Sequence, residues 1–399
     1  MAEIPTSAPP KQSFSFSDKK TRGQIYQVIT IAVIAWFIWS IIANTASNME
    51  AQGIHFGFDF LKTESGFSII QSLIPYDETS TYGRVFFIGL INTLLIAFIG
   101  CILATFLGFL VGIGRLSSNW VINKISTIYV ELFRNVPLLL QIFFWYHAVL
   151  KPLPGPREIH SKGEALWFSV TNNGVLLPKP IAESGFGFVL AAFGIGIIAA
   201  ILYARKAKTK QMATGQRSPV LWVTLGLLLA LPAAVFLIMG SPMVLEPGEM
   251  GTFRPDKYKG LNIIPEFVAL LLALVVYTAA FIAEIVRAGI QSVNHGQTEA
   301  ANALGLRPGP TLKLVVIPQA LRVIIPPLTS QYLNLTKNSS LATAIAYPDL
   351  VSVFAGTVLN QTGKAVEIII LTMLVYLTIS LVTSIFMNWY NERVKLVER

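Results

Sequence analysis

Apolar residues gather into long runs separated by short polar segments. Residues 23–49, 85–114, 184–204 and 218–245 carry no charged side chain, and 267–283 and 368–391 are equally dense. Residues 135–150 are apolar and are extended backward by 125–130. Segment 323–346 is weaker, interrupted by Pro326, Pro327, Asn334 and Lys337. A helix needs about 20 mostly apolar residues to cross a bilayer. The pattern predicts an all-α polytopic membrane protein with about eight transmembrane helices. The first run is too long for the apolar part of a cleavable signal peptide, and no small-residue cleavage site follows it cleanly, so it reads as a retained helix. Residues 1–22, rich in Ser, Pro and Lys, read as a solvated tail.

Composition agrees with the pattern. Of the 399 residues, 53% are apolar and only 13% charged. Soluble domains carry about 25% charge, so these residues do not cover the surface of two or three such domains. The same balance excludes a disordered chain. The single cysteine, Cys101, excludes a disulfide framework and a thiolate metal cluster. The net charge of +9 is explained by where the cations sit. With the N-terminus in the cytoplasm and eight alternating spans, 18 of the 30 Lys and Arg fall inside and 10 outside, with Arg134 and Lys337 within spans. That asymmetry predicts both termini in the cytoplasm and needs no nucleic-acid partner.

The chain divides into a tail (1–22), a first span with an outer segment (23–84), a first apolar core (85–150), a segment with outer loops and a helical hairpin (151–262), a second core (263–390) and a closing tail (391–399). The pair 184–204 and 218–239 holds no intramembrane charge and reads as a lipid-facing hairpin, with a place in a substrate path as the alternative. Ionisable residues inside spans are costly and mark function by default. Lys337 lies among Asn334, Thr336, Asn338, Ser339 and Ser340. It reads either as the cation that meets a substrate carboxylate or as a structural lysine bonded to carbonyls of a span kinked by Pro326 and Pro327. Arg134 follows Glu131 by three residues on one helix face, as Arg287 follows Glu284. Each pair reads as an ion pair or as a gate contact. His147 and His295 have no metal-ligand neighbours, so no metal site is assigned.

One amphipathic stretch stands apart, running from His295 to Pro318. Residues 298–304 suit a short helix, with Thr298 as cap, Glu299 at its positive end and Ala300, Ala301 and Ala303 favouring helix. Gly305 suits the left-handed residue that ends it. The Pro308-Gly309-Pro310 run predicts a turn, with a second helix resuming at Thr311. The pattern Glu299-Ala300-Ala301, Gly305, Val315, Ile317-Pro318 resembles the cytoplasmic coupling loop of ABC-importer permeases, here spanning 290–320. Gly89-Leu-Ile-Asn92-Thr93-Leu resembles the opening of that family's first core span. Glu131-Leu-Phe-Arg134-Asn135-Val-Pro137, Ala283-Glu284-Ile-Val-Arg287 and Leu335-Thr-Lys337-Asn-Ser339-Ser340-Leu341 are similar to its polar-amino-acid branch. The resemblance covers 85–150 and 264–390. The extra first span and the 151–262 insertion are similar to the larger permease subunit of general L-amino-acid importers of Gram-negative bacteria.

The resemblance implies a type I importer permease core in a bacterial inner membrane. Glu299, Ala300, Ala301, Gly305 and Pro318 would form the loop that docks on a cytoplasmic ATPase. Closure of the ATPase dimer would tilt the spans between inward- and outward-facing states. The partners implied are a homologous second permease, two ABC ATP-binding subunits, a periplasmic amino-acid-binding protein and an L-amino acid. No cofactor is expected on this chain, which shows no GxxxxGK[ST] loop, and ATP with Mg would sit on the ATPase. Lys337, Asn334, Ser339, Ser340, Arg134 and Glu284 are the candidates for the translocation path. An ion-coupled secondary amino-acid transporter is the alternative. It accounts for the hydropathy and Lys337, but not for the Glu299–Pro318 stretch, and no inverted repeat is evident. An intramembrane enzyme is disfavoured by the absence of HExxH, GxSxG or paired intramembrane aspartates.

Overall fold

The computed structural model describes residues 19–51, 53, 56–159, 165–216, 218–249 and 260–394. Most of the expected tail 1–22, the last residues of the tail 391–399, Arg217 and much of the second outer loop lie outside the described residues. Among the described residues, seven helices are long and apolar enough to cross a membrane, and a bent pair makes an eighth.

The first helix, α1 (Lys19–Ala51), belongs to a unit that ends at Phe60. It carries the whole first apolar run, with Trp36 and Trp39 exposed on it.

The second unit begins at Leu61. Its first span is α2 (Tyr82–Gly114), followed by α3 (Trp120–Asn135) and α4 (Leu138–Phe143), which continues as a π-helical stretch over Phe144–Leu150. Asn119 caps α3 by accepting the N–H groups of Val121 and Ile122 at 3.0 and 3.3 Å. Where 125–150 reads as one straight span, the chain bends by 106° between α3 and α4. The cause is local: Pro137 excludes helical backbone at the residue before it, and Val136 is extended at φ −95, ψ 128.

The outer segments fold as more than loops. After α5 (Pro156–Ile159) come β1 (Ala165–Leu166), β2 (Ser169–Thr171), β3 (Gly174–Leu177) and β4 (Lys179–Ala182). The hairpin follows: α6 (Phe186–Thr214), α7 (Val220–Leu225), a π-helical turn over Gly226–Ala230, and α8 (Leu231–Ile238). The apolar run to Leu245 does not stay helical. Its end pairs as β5 (Met243–Glu246), ahead of β6 (Gly248–Glu249) and β7 (Leu261–Ile263). Strands from before and after the hairpin pair antiparallel, Ile181 with Val244 and Val175 with Ile263, so the two outer loops are joined through three small sheets, β1-β6, β2-β3-β7 and β4-β5. Within the hairpin, Ala192, Gly196 and Ala200 are buried, and a Cβ on Gly196 would lie 2.3 Å from the Leu227 carbonyl oxygen.

At the centre of the second core is α9 (Pro265–Gln291), with Ala269, Leu270, Ala273, Leu274, Ala279, Ala280, Ile282 and Ala283 fully buried. Helix α2 packs on it through Gly108 and Gly112, where a Cβ would come within 2.6 Å of Ile282 and 2.7 Å of the Ala283 carbonyl. Beyond α9 lie α10 (His295–Ala303), α11 (Pro308–Thr311), a π-helical stretch over Leu312–Val316, and α12 (Ile317–Asn338), which tightens to 3-10 over Ser339–Ile345. The expected kink at Pro326 and Pro327 is not seen as a break, because helix is continuous from Ile317 to Asn338. A second π-helical stretch, Val351–Val358, leads into α13 (Leu359–Thr362) and the last span, α14 (Ala365–Val394).

Candidate coupling and translocation site

Helix α10 starts three residues before its expected place. The cap is Asn294, not Thr298: its side-chain oxygen accepts the Gly296 N–H at 2.8 Å. Glu299 therefore sits in mid-helix and faces His295 across one turn at 3.0 Å, both side chains well exposed. The C-terminal end is as the sequence predicts. Gly305 has φ +75, with its N–H donating to the Asn302 carbonyl at 2.9 Å and the Leu306 N–H donating to the Ala301 carbonyl at 3.1 Å. This pair of bonds is the Schellman arrangement that closes a helix through a left-handed residue.

The Glu-Ala-Ala triplet divides by direction. Ala301 is 3% exposed and anchors α10 to the rest of the chain, while Glu299 and Ala300 face outward. Leu304, 82% exposed, projects beside them as an apolar knob that no sequence argument singled out. The signal was present, since a leucine just before a helix-ending glycine at a polar surface has nothing of its own to bury against. The Gln319 amide donates to the Gln297 side-chain oxygen at 3.2 Å and ties α10 to the start of α12. The turn between them lies at 304–307 and not at the Pro308-Gly309-Pro310 run. Pro308 opens α11 as its first residue, where a missing N–H costs nothing and φ is already helical. Helix then runs from Pro308 through Pro318 into the membrane, so a displacement of α10 reaches α12 through the short turn at 304–307 and the Gln297–Gln319 hydrogen bond.

On its membrane face α12 presents polar groups on two sides. Gln331, Asn334 and Asn338, spaced three and four apart, share one face and line a cavity of about 300 Å³ with Tyr277, Thr278 and Phe281 of α9. Among the described residues, none of these three side-chain amides has a hydrogen-bond partner. An amide taken out of water without a partner costs roughly 2–7 kcal/mol, so this face of α12 must meet water, a polar ligand or another subunit. Lys337 and Ser340 lie on the other side. They line an open cleft of about 420 Å³ with Thr372, Tyr376 and Ser380 of α14.

The sequence candidates therefore separate. Asn334 lines the amide cavity; Lys337 and Ser340 line the cleft. Ser339 is fully buried and donates to the Thr336 carbonyl at 2.7 Å, so it faces neither. Arg134 makes no ion pair with Glu131. Its guanidinium lies over the ring of Phe281, 5.2 Å from the centroid, at the edge of the amide cavity. Glu284 belongs to neither cavity. It pairs with Arg287 at i,i+3 and also with Arg115 at the end of α2, forming a half-buried ion triad that joins α2 to α9. The sequence does not show this pairing, because Arg115 and Glu284 are 169 residues apart.

The Gly89-Leu-Ile-Asn92-Thr93 segment acquires a physical role. The Asn92 amide donates to the carbonyls of Pro348 at 2.8 Å and Gln71 at 3.1 Å, and Thr93 accepts the Leu350 N–H at 3.1 Å. A Cβ on Gly89 would lie 2.8 Å from Leu350 Cα. The three residues seat the loop that follows α12, where Ala346 turns the chain at φ +57.

Comparison with known proteins agrees with this architecture. The family described as binding-protein-dependent transport system inner membrane component matches residues 193–396, which hold α10 to α12 and both cavities. The general L-amino acid transport system permease protein AapQ of Rhizobium johnstonii is 50% identical, over 96% of this chain and 94% of its own. The glutamate/glutamine/aspartate/asparagine transport system permease protein BztB of Rhodobacter capsulatus is 44% identical, over 98% and 99%. These matches leave the ion-coupled carrier without support. The chain belongs to the family of inner-membrane components of binding-protein-dependent transport systems, as a multi-pass permease subunit.

Proposed function

We propose that this chain is the larger of two unequal permease subunits of an ATP-driven importer of L-amino acids in a bacterial inner membrane, with both termini in the cytoplasm. The observation that carries the reading is the link between α10 and α12: Glu299, Ala300 and Leu304 are exposed on α10 and at its end, and a short turn and the Gln297–Gln319 hydrogen bond tie that helix to the one whose membrane part carries the amide face. The exposed end suits docking in a cleft of an ATP-binding subunit, which holds ATP and Mg. Closure of two such subunits pushes α10, and this link tilts α12 so that its polar face opens to one side of the membrane and then the other. Delivery by a periplasmic binding protein follows from the family's description, and amino acids as cargo from the relatives' names.

The polar face of α12 is suited to a zwitterion. Carboxamides both donate and accept, so they serve an ammonium and a carboxylate alike. Lys337, in the cleft on the other side of α12, supplies a cation that a carboxylate can meet there. Replacing Lys337 with Met is expected to abolish uptake while complex assembly and basal ATP hydrolysis persist. Asn334→Leu is expected to lower uptake about tenfold, the effect of losing roughly 1.4 kcal/mol of binding. Both are measured as ATP-dependent uptake of labelled amino acids into proteoliposomes holding the full complex. Unchanged uptake in both variants would move the membrane site to the partner permease. Orientation has its own check. Reporter fusions near Lys208 are expected to read cytoplasmic and fusions near Pro154 periplasmic; the reverse result refutes the topology.

A further inference from the structure

The helical hairpin contributes to neither cavity. Ile195, Ile198, Ile201 and Leu202 of α6, and Leu229, Leu237 and Ile238 opposite, are exposed, so its outer faces meet lipid. Helix α6 continues past its apolar stretch to Thr214, and Arg205, Lys206, Lys208 and Lys210 lie on this extension. All four are exposed, and among the described residues none makes an ion pair. No acidic residue occurs between Glu183 and Glu246.

Two geometric facts identify what these cations meet. The first is depth. From Arg205 to Lys210 the helix rises about 7.5 Å. One polar headgroup layer is about 5–7 Å thick. The span of the four cations is thus about the thickness of one leaflet's headgroups. Gly196 packs against Leu227, so the antiparallel register sets Trp222, 74% exposed, opposite Ile201, about 6 Å on the apolar side of Arg205, where interfacial tryptophans sit. The second is direction. At about 100° per residue, the four side chains spread over roughly 200° of the helix perimeter. The remaining side carries Ala207, which is 5% exposed. A protein partner docks on one side of a helix. Headgroups surround every side that protein leaves open, and the cations occupy that perimeter.

We propose that the tip of this hairpin is a binding site for anionic phospholipid headgroups, with Arg205, Lys206, Lys208 and Lys210 holding lipid phosphates of the cytoplasmic leaflet. The side of the membrane rests on the importer reading, because α8 and α9 are two crossings between this tip and α10. The lipid chemistry does not depend on that reading.

The test uses the intact transporter complex in phosphatidylcholine nanodiscs with or without phosphatidylglycerol. A photoactivatable phosphatidylglycerol is cross-linked, and its attachment to the peptide around 205–216 is measured by mass spectrometry against a matching phosphatidylcholine probe. Preferential labelling by the phosphatidylglycerol probe is expected, reduced by salt and unaffected by inorganic phosphate. Attraction of a juxtamembrane cation to an anionic leaflet corresponds to about fivefold in affinity for each. Neutralising all four bears on how the hairpin inserts, so Lys206→Gln and Lys210→Gln are measured singly. Each is expected to lower labelling severalfold, whereas the triple Lys206→Arg, Lys208→Arg, Lys210→Arg variant retains it. Equal labelling by the two probes, competition by free phosphate, or exclusion of lipid by a cross-link to the ATP-binding subunit each overturns the proposal. Uptake is recorded in parallel, so lost lipid selectivity with normal uptake separates this site from the transport function.

Discussion

Replacing Gly305 with Val is expected to reduce ATP-dependent uptake to background while the permease stays in the membrane. The reason is backbone, not space: nothing lies within 4 Å of a Cβ at this position, but φ is +75. A residue with a side chain pays about 1–2 kcal/mol there, and a β-branched one more. The cheapest escape is to unwind the end of α10, which breaks the bonds from Gly305 and Leu306 and carries Leu304 out of place. The folded core is remote from this change. Asparagine tolerates left-handed backbone, so Gly305→Asn is expected to recover much of the uptake and Gly305→Ala less. The measurement is co-purification of the ATP-binding subunit alongside uptake. A Val variant that transports and binds normally would remove this loop from the docking site. Glu299→Lys is expected to weaken ATPase binding too, by reversing an exposed charge while leaving α10 itself helical.

The second large effect is expected at Gly108. A Cβ there would stand 2.6 Å from the Ile282 Cβ and Cγ2 and 3.0 Å from the Ala279 carbonyl oxygen. Ile282 is fully buried, and its Cβ is fixed by the backbone of α9, so no rotamer change gives relief. Gly108→Leu must push α2 away from α9. Overpacking a well-filled core costs typically 1–3 kcal/mol, and separating two helices forfeits further contacts. It also strains the Arg115–Glu284 pair one to two turns below. The outcome expected is loss of assembled complex, read as yield and thermal stability in detergent. Gly187→Leu, where nothing lies within 4 Å, serves as the tolerated control on another span. Wild-type yield and stability in Gly108→Leu would show that the two helices do not pack as described.

Hydropathy carried most of the fold, because an uninterrupted apolar run of sufficient length has few alternatives in lipid. It failed where a local device outweighed composition. Pro137 breaks a span that reads as continuous, while Pro326 and Pro327 leave one intact that reads as kinked. Proline punctuation alone does not tell these cases apart, since packing around each helix decides. The run to Leu245 was over-extended because β5 is apolar for a reason of pairing. In the 290–320 loop, the glycine and the alanines are legible because each requirement is local. Asn294 caps the helix in place of Thr298, because asparagine is the stronger capping type and stands four residues earlier. The separation of Lys337 from the amide cavity was not legible, because neighbours on a helix share a sequence and not a direction. Arg115 and the seat formed by Asn92 and Thr93 depend on contacts across more than 150 residues, which no single-sequence pattern reports.

The pairing of β4 with β5 brings Ala182 beside Met243, so the chain leaves the hairpin where it entered it. The stretch between them crosses the bilayer twice, and an even number of crossings leaves every later segment on its original side. Deleting residues 184–241 and joining the strands by a short turn would keep the parity on which α10 depends. The hairpin is in this sense a removable module, gained or lost in one step without turning the rest of the permease inside out.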